Sequence, residues 1–288
     1  MIVAHRVEEL ADGPRTVAIG SFDGVHRGHR RVLDTAAAVG DSTTVVTFWP
    51  HPRLVLGNQV ELLSTLERRL ELLESAGVDE VLVVDFTPAV AALSPEEFAD
   101  EVLRRIGAAA IVVGENFRFG RAASGDPELL DRLGFDVRAV RLLEGVSSSR
   151  IRTLLREGDV VAAAGLLGRP AELDGTVVLG DQRGGTLGYP TANLATLSEL
   201  LVPAYGIYVG SARGRRAAIS IGVNPHYGGD ERRIEPHLLD FEGDLYGQRL
   251  VVELWQRVRD ERAFESEAEL VAQIARDVEA ARAAERPG

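Results

Sequence analysis

The sequence predicts an α/β domain with a mostly parallel sheet, followed by an antiparallel β domain that ends in a helix. Strand-like and helix-like segments alternate up to about residue 143, which is typical of a parallel sheet with helices on both faces. Beyond residue 171 the segments are short, β-type and separated by Gly, Asn, Asp and Pro, which favours an antiparallel sheet or small barrel. We therefore expect two domains, residues 1–170 and 171–288.

The elements of the first domain follow from apolar patterns and helix caps. Predicted strands cover residues 17–19, 44–49, 81–86, 111–113 and 137–142, and predicted helices cover residues 66–76, 95–106 and the segment after residue 126. Ser94, Pro95 and Glu97 combine an N-cap, a first-turn proline and a capping-box acid. Ligands of such sheets bind where loops leave the carboxyl ends of strands, so the loops after the first, second and fourth predicted strands are expected to hold them.

The second domain is preceded by two short helices and closed by a longer one. Residues 150–156 and 159–167 have helical patterns, and Ser266 and Glu269 have capping-box spacing at the start of the last helix. Predicted strands cover residues 175–179, 207–210, 217–221, 234–241 and 249–255. Pro236 falls inside one of them, which predicts an edge position or a bulge because proline cannot donate a ladder hydrogen bond.

Composition excludes several classes of function. The chain has 288 residues and a formal net charge of −12, so a broad nucleic-acid surface is not expected. It contains no cysteine, which excludes disulfides, thiolate nucleophiles and cysteine-ligated metal sites. No apolar run is long enough to cross a membrane, and the first residues lack the pattern of a signal peptide. We expect a cytoplasmic protein with neither nucleic-acid nor membrane partners.

The most informative segment is GSFDGVHRGH at residues 20–29. It joins a predicted strand to a predicted helix, so His26 and His29 lie one turn apart where the helix begins. Free backbone N–H groups and the positive end of the helix dipole suit phosphate at such a place, and the three glycines let the backbone approach a ligand. Asp23 is interpreted as a turn residue, with a position near the ligand as the alternative. The alternative is an ordinary strand–loop–helix connection with two surface histidines.

Two further motifs follow predicted strands. In the PHP run at residues 50–52, prolines on both sides hold His51 in an extended conformation at a ligand-facing end. A rigid turn with an exposed histidine is the alternative. The VGENFRFG run at residues 113–120 contains Asn116 and Phe117, and by itself it favours stacking on a planar ring no more than it favours an ordinary loop.

The SSSRIR run at residues 147–152 starts a predicted helix. The hydroxyls of Ser148 and Ser149 could cap that helix. With the guanidinium group of Arg152 beside them, they could equally form a phosphate clamp.

These motifs occur in an order that is known from one protein family. In the second half, GGTLGYPTAN, IGVNP, IEPHLLDF and DLYG follow one another between residues 184 and 247. Together with GSFDGVHRGH, TFWPHP, VGENFRFG and SSSRIR, this order resembles the bifunctional bacterial riboflavin kinase/FAD synthetases over nearly the whole chain. The HxGH element alone is shared with the wider nucleotidylyltransferase superfamily. The resemblance implies a Rossmann-like nucleotidylyltransferase domain followed by a riboflavin kinase β-barrel.

For the first module the resemblance implies transfer of an adenylyl group from ATP to FMN, with release of pyrophosphate. His26 and His29 would hydrogen-bond the ATP phosphates as catalytic residues. Residues implied to bind ATP or its phosphates are Gly20, Phe22, Gly28, Ser148, Ser149 and Arg152, and those implied to lie at the flavin are His51, Asn116 and Phe117.

For the second module the resemblance implies transfer of the ATP γ-phosphate to riboflavin. Glu235 would be the catalytic base, Thr191 and Asn193 would bind Mg²⁺, and Gly188 would lie at ATP. Without the resemblance, Glu235 is an outward carboxylate on an alternating strand, and Thr191 and Asn193 belong to a turn after a proline. The implied partners are ATP, riboflavin, FMN and FAD, and we expect a monomer or a weak homo-oligomer.

Three positions depart from the family pattern. Gly185 stands where Arg is common, His226 stands where Thr is usual, and Ser149 replaces a common Thr but keeps the hydroxyl. The first two leave open a single-activity FAD synthetase whose β domain binds flavin without phosphorylating it. A non-catalytic flavin-binding regulatory protein and an adenylyltransferase for another phosphate substrate are the remaining alternatives.

Overall fold

A computed structural model describes residues 1–180, 187–223 and 232–287 of the chain. The chain forms two compact units. The first consists of Met1–Glu61 and Leu66–Ser147, and the second consists of Leu62–Thr65 and Ser148–Gly288. The segment from 148 to 170, which the sequence assigned to the first domain, therefore packs with the second unit. The domain boundary at residue 170 remains a prediction.

The first unit is built on a parallel sheet. Within residues 1–147, all of which the structure describes, its strands are β1 (Ile2–Ala4), β2 (Arg15–Ile19), β3 (Thr43–Trp49), β4 (Glu80–Asp85), β5 (Ala108–Gly114) and β6 (Asp136–Val140). They lie in the order β1-β4-β3-β2-β5-β6, and every neighbouring pair is parallel, as predicted. Because β2 lies between β3 and β5, the loops that leave the carboxyl ends of these three strands lie side by side.

Helices cover both faces of this sheet. They are α1 (Arg27–Ala37), α2 (Pro52–Val55), α3 (Leu66–Ser75), α4 (Pro88–Ala92), α5 (Pro95–Phe98) and α6 (Pro127–Arg132), with 3-10 turns at Val7–Glu9 and Arg121–Ala123. Buried side chains alternate along β2, since Val17 and Ile19 join one core cluster and Ala18 joins the other. The sheet is therefore buried on both faces, as a parallel sheet requires.

The helix predicted over residues 95–106 changes its geometry partway. Ser94 and Glu97 form the predicted capping box at its start. After α5 the chain continues as a π-helix over Ala99–Arg104, and buried side chains of this segment join the core on the sheet. The sequence pattern predicted the start of the helix but did not indicate the wider turn.

The second unit is built on an antiparallel sheet. Its strands in the described residues are β7 (Ala171–Val178), β8 (Asn193–Thr196), β9 (Gly206–Ala212), β10 (Arg215–Val223), β11 (Arg232–Leu238) and β12 (Arg249–Arg259). They lie in the order β11-β10-β9-β12-β7-β8, and each pair is antiparallel. The end strands approach each other, because the Ala192 N–H donates to the Pro236 carbonyl at 2.9 Å. The predicted small barrel and the edge position of Pro236 are confirmed.

Three helices complete the second unit in its described part: α7 (Ser148–Glu157), α8 (Val160–Leu167) and α9 (Glu267–Ala283). Ser266 caps α9 by accepting the Glu269 N–H at 3.2 Å, and Val278 packs with Val209 and Leu239 on the barrel. The strand predicted over residues 234–241 is shorter than expected, since β11 ends at Leu238 where the chain turns. No helix among the described residues is long and apolar enough to cross a membrane.

Candidate active sites

Two histidines lie at the start of α1, where β2 has just ended. His26 is the N-cap residue, and its Nδ1 accepts the His29 N–H at 3.2 Å. The two rings stack, with centroids 3.6 Å apart and 12° between their planes. Because Nδ1 of His26 is an acceptor, the neutral ring carries its proton on Nε2, which is the nitrogen that can donate to a ligand. This arrangement suits phosphate at a helix N-terminus.

Glycines and strained residues shape the loop before these histidines. A Cβ at Gly28 would lie 3.1 Å from Cε1 of His26, so glycine at this position lets the imidazole fold back over the first helical turn. A Cβ at Gly20 would lie 3.3 Å from the Phe22 ring. Phe22 and Val25 have φ angles of 47° and 38°, which are strained for side chains of this size. Both side chains are buried, and their packing holds the strained loop.

The predicted flavin residues of the first unit lie on the loops after β3 and β5. His51 is buried rather than exposed, and its Nδ1 accepts the Arg53 N–H at 3.2 Å at the start of α2. Asn116 is exposed, and Phe117 stacks on Phe119 with ring centroids 5.7 Å apart. The alternative of an exposed His51 is thus wrong. Contact of His51, Asn116 and Phe117 with flavin remains a prediction.

The predicted second phosphate motif forms the first turns of α7 in the second unit. Ser148 is the first residue of the helix, and Ser149 is exposed. The carbonyl of Ser149 accepts the Thr153 hydroxyl at 3.2 Å. Arg152 is buried, with 6% of its surface exposed. The role of Ser148, Ser149 and Arg152 as phosphate ligands remains a prediction.

A cavity of about 310 Å³, called the barrel cavity below, lies in the second unit between strands of the barrel and α9. Apolar side chains form much of its wall, among them Ile207, Ile219 and Ile274. The hydroxyl residue Thr191 and the carboxylate residue Glu235 line the same cavity. The structure therefore brings a predicted metal ligand and the predicted base to one place, although they are distant in the sequence.

The Pro-Thr-Ala-Asn run is tied to β11 beside Glu235. One bond is the Ala192 N–H to the Pro236 carbonyl, and a second joins His237 Nδ1 to the Pro190 carbonyl at 2.7 Å. A carbonyl can only accept, so Nδ1 of His237 carries a proton. His237 was not predicted as a site residue, although its place two residues after Glu235 on a strand puts both on one face.

Two other predicted residues of the kinase site have clear local roles. Asn193 begins β8, and a Cβ at Gly180 would overlap its amide, so this amide lies against the backbone of Gly180. Gly188 has a φ of 84°, a left-handed conformation that favours glycine. Its proximity to ATP remains a prediction. Gly185 and His226 lie outside the described residues.

A buried ion pair next to the histidine loop was also not predicted. Asp23 does lie in a turn, but its side chain is only 1% exposed and its Oδ1 lies 3.6 Å from Nη2 of Arg69 on α3. Arg69 is three residues after Leu66 and four before Leu73. This position on the apolar stripe of α3 was the one signal for its burial.

The first unit has stacked histidines at a helix N-terminus on a parallel sheet, and the second has a cavity lined by a hydroxyl residue and a carboxylate residue. These two sites indicate a transferase that uses nucleotides. The family model for FAD synthetase matches residues 9–152, and the model for riboflavin kinase matches residues 167–285. The chain belongs to the family of bifunctional riboflavin kinase/FMN adenylyltransferases.

Curated relatives with that family name match almost the full chain. The Bacillus subtilis protein is 34% identical over 95% of this chain and 93% of its own length. The Escherichia coli K12 protein is 35% identical over 96% of both chains, and the Pseudomonas fluorescens protein is 37% identical over 93% and 92%.

A solved structure from Streptococcus pneumoniae has the same fold over its whole length. It covers 99% of both chains with a TM-score of 0.87 and 32% identity, and it is titled a macrolide-efflux protein. Its name differs from those of both matching families and of the full-length relatives, which are flavin-cofactor enzymes.

Proposed function

We propose that this chain phosphorylates riboflavin to FMN in the barrel cavity and adenylylates FMN to FAD at the histidine loop. The cavity supports the assignment of the kinase site, because Glu235 and Thr191 both line it together with apolar side chains. A flavin combines a flat, largely apolar ring with a polar chain, and this lining offers such a ligand both apolar side chains and polar or charged ones.

At the histidine loop, an oxygen of the FMN phosphate would attack the α-phosphorus of ATP. The new P–O bond forms as the bond to the bridging oxygen breaks, and pyrophosphate leaves with the electron pair. Catalysis of this kind is mostly positioning and stabilisation of phosphate charge. The Nε2–H of His26 would donate to a phosphate oxygen, and the first N–H groups of α1 would add their positive potential.

In the barrel cavity, the riboflavin 5′-hydroxyl would attack the γ-phosphorus of ATP. Glu235 would accept the hydroxyl proton as the new P–O bond forms, and ADP would leave. Glu235 is only partly buried and lies 4.0 Å from the Arg233 guanidinium, so its carboxylate is close to a positive charge. A carboxylate at the lining of the cavity fits the part of a base.

The kinase site offers the kind of ligands that Mg²⁺ prefers. Thr191 has a hydroxyl at the cavity, and the Asn193 amide is held against Gly180. These two side chains would hold the ion through oxygen, and the bound ion would neutralise phosphate charge. No group of three or more His, Asp or Glu side chains in the described part of the chain could hold a metal ion.

The test is a time course with the full chain, riboflavin, ATP and Mg²⁺, in which the flavins are separated by chromatography. We expect FMN first and FAD later. His29→Ala should stop FAD formation and spare FMN formation, whereas Glu235→Gln should stop FMN formation from riboflavin and spare FAD formation from supplied FMN. His5→Ala and Glu242→Gln change exposed residues of the same units and serve as matched controls.

The outcomes separate the alternatives. FAD from supplied FMN but no FMN from riboflavin would show a single-activity FAD synthetase, which the departures at Gly185 and His226 favour. No product from either flavin would leave only flavin binding. Loss of both activities in one folded variant would contradict the assignment of two separate sites. The cytoplasmic location and the monomeric or weakly oligomeric state remain predictions.

A further inference from the structure

Arg69 on α3 is a fully buried arginine beside the histidine loop. Its Nη1 donates to the Phe48 carbonyl at 3.3 Å, and its Nη2 lies 3.6 Å from Asp23 Oδ1. The centre of its guanidinium group lies 5.5 Å from the centroid of the Trp49 ring, a cation–π distance. Within the described residues, its Nε and Nη2 have no hydrogen-bond partner. The guanidinium group is thus held by one carbonyl, one carboxylate and one aromatic face.

Stability alone does not account for this buried pair. Burial lowers the pKa of Arg69, and the nearby Asp23 carboxylate opposes that change. Burying two charges costs desolvation free energy that their attraction barely offsets, so apolar side chains of the same volume would serve stability at least as well. The pair therefore has to be explained by what it connects.

Arg69 connects the two loops that carry the predicted histidines of the first unit. Asp23 lies three residues before His26, and Phe48 and Trp49 lie directly before the Pro50–His51 turn. The two loops leave neighbouring parallel strands, β2 and β3, at the same edge of the sheet. One buried cation therefore contacts the histidine loop and the end of β3, where the loop of His51 begins, close to the residues expected to bind substrate.

The histidine loop needs such support because its backbone is strained. Phe22 and Val25, on either side of Asp23, both have positive φ. A second link between this loop and β3 is the Thr47 hydroxyl, which donates to the Ser21 carbonyl at 3.1 Å. Strained backbone persists only where its surroundings fix it, and here Arg69 and the Thr47 hydroxyl add to the packing of the buried Phe22 and Val25 side chains.

We propose that Arg69 is a positioning residue for adenylyl transfer: it holds the loop of His26 and the loop of His51 in fixed relation, acting through Asp23 and the Phe48 carbonyl. This inference rests on the proposed FAD synthetase activity. Positioning acts on alignment in the transition state, so its loss lowers kcat more than it raises the KM for ATP or FMN.

Three variants separate positioning from simple stability. Arg69→Gln leaves Asp23 buried without its cation, and this variant tests the full loss. Arg69→Lys keeps the charge but lacks the planar group that lies over Trp49 while reaching Asp23 and the Phe48 carbonyl. The double variant Asp23→Asn with Arg69→Gln removes both charges, and it keeps the test valid if the first variant does not fold.

The control is Arg68→Gln on the same helix. Arg68 is partly exposed and pairs with Glu71 at 2.6 Å, so its replacement removes a neighbouring arginine of the same helix that is not fully buried. We expect wild-type FAD synthesis in this control. Riboflavin kinase activity, measured in every variant, reports on the second unit of the same molecules.

For Arg69→Lys and for the double variant we expect a tenfold to hundredfold lower kcat of FAD synthesis. KM values should change by less than threefold, thermal unfolding should stay close to that of the wild type, and FMN formation should be unchanged. Wild-type kcat in the folded double variant would overturn the inference. A loss that tracks lowered thermal stability, or that raises KM alone, would also overturn it by showing a structural or a binding role. If the wild type itself made no FAD from FMN, the proposed function would fail together with this inference.

Discussion

Replacing Gly28 with alanine should separate the geometry of His26 from the stability of α1. The new Cβ would lie 3.1 Å from Cε1 and 3.2 Å from Nδ1 of His26, whereas ordinary contacts begin at 3.4 Å. The imidazole must therefore move by at least about 0.3 Å. A movement of this size directed away from the His29 N–H would lengthen its 3.2 Å bond to His26 Nδ1 to about 3.5 Å, the limit of a hydrogen bond.

The magnitudes predict a change in activity without a comparable change in stability. Losing the side-chain cap of α1 costs about 1 kcal/mol. Alanine stabilises the interior of a helix by about 1 kcal/mol relative to glycine, and Gly28 lies in the first turn, so the gain there is at most of that size. The two effects act in opposite directions, so the free energy of unfolding should fall by no more than about 1 kcal/mol. The substitution has no second effect that would restore the position of the His26 donor. We therefore expect a drop of about tenfold in kcat of FAD synthesis.

The assay compares Gly28→Ala with Gly165→Ala. Gly165 lies inside α8, and a Cβ there would meet nothing within 4 Å. The control should keep full FAD synthesis and gain up to about 1 kcal/mol of stability. Wild-type kcat in Gly28→Ala would refute the idea that this glycine makes room for the His26 ring. Equal losses of activity in both variants would refute it as well.

Two further predictions concern stability at low pH and the kinase site. Hydrogen bonds from Arg15 and Thr44 hold the pKa of Glu80 below its usual value, so the stability it contributes is present above about pH 4.3 and is lost as pH falls through the folded-state pKa. Urea unfolding between pH 6 and pH 3 should therefore show a steeper loss in the wild type than in Glu80→Gln, and equal slopes would contradict this. At the kinase site, His237→Asn keeps a donor for the Pro190 carbonyl, whereas His237→Phe does not. FMN formation should therefore fall at least tenfold in the Phe variant and stay near the wild-type rate in the Asn variant. Equal rates of FMN formation in the two variants would exclude a role for this bond.

The elements that the sequence predicted well are those whose signals are local. The parallel sheet followed from apolar runs alternating with helices, and the capping box at Ser94 and Glu97 marked a helix start to the residue. The antiparallel barrel followed from short strands between turn residues. Such signals depend on near neighbours in the chain, so one sequence contains them.

Interactions between distant segments were not predictable in the same way. Leu62 lies in the first half of the chain but pairs with the second unit, where its N–H donates to the Glu199 carbonyl at 2.6 Å. The Thr65 hydroxyl likewise donates to Asp174, and the Asp174 carboxylate also forms a bidentate ion pair with Arg249. The hydrophobic periodicity and the helix caps of the sequence do not indicate these contacts, because the partner residues are distant in the chain and meet only in the folded structure.

The same distinction applies within the active sites. Residues that would touch substrate, such as His26 and Glu235, stand in motifs that can be recognised by their neighbours in the chain. Residues that hold them, such as Arg69 and His237, make their contacts across loops and strands, so only the structure pairs them with Asp23 and Pro190. A strained loop and a short turn position substrate groups only if buried partners fix them. For this reason, activity should be more sensitive to these supporting contacts than the motifs alone would indicate.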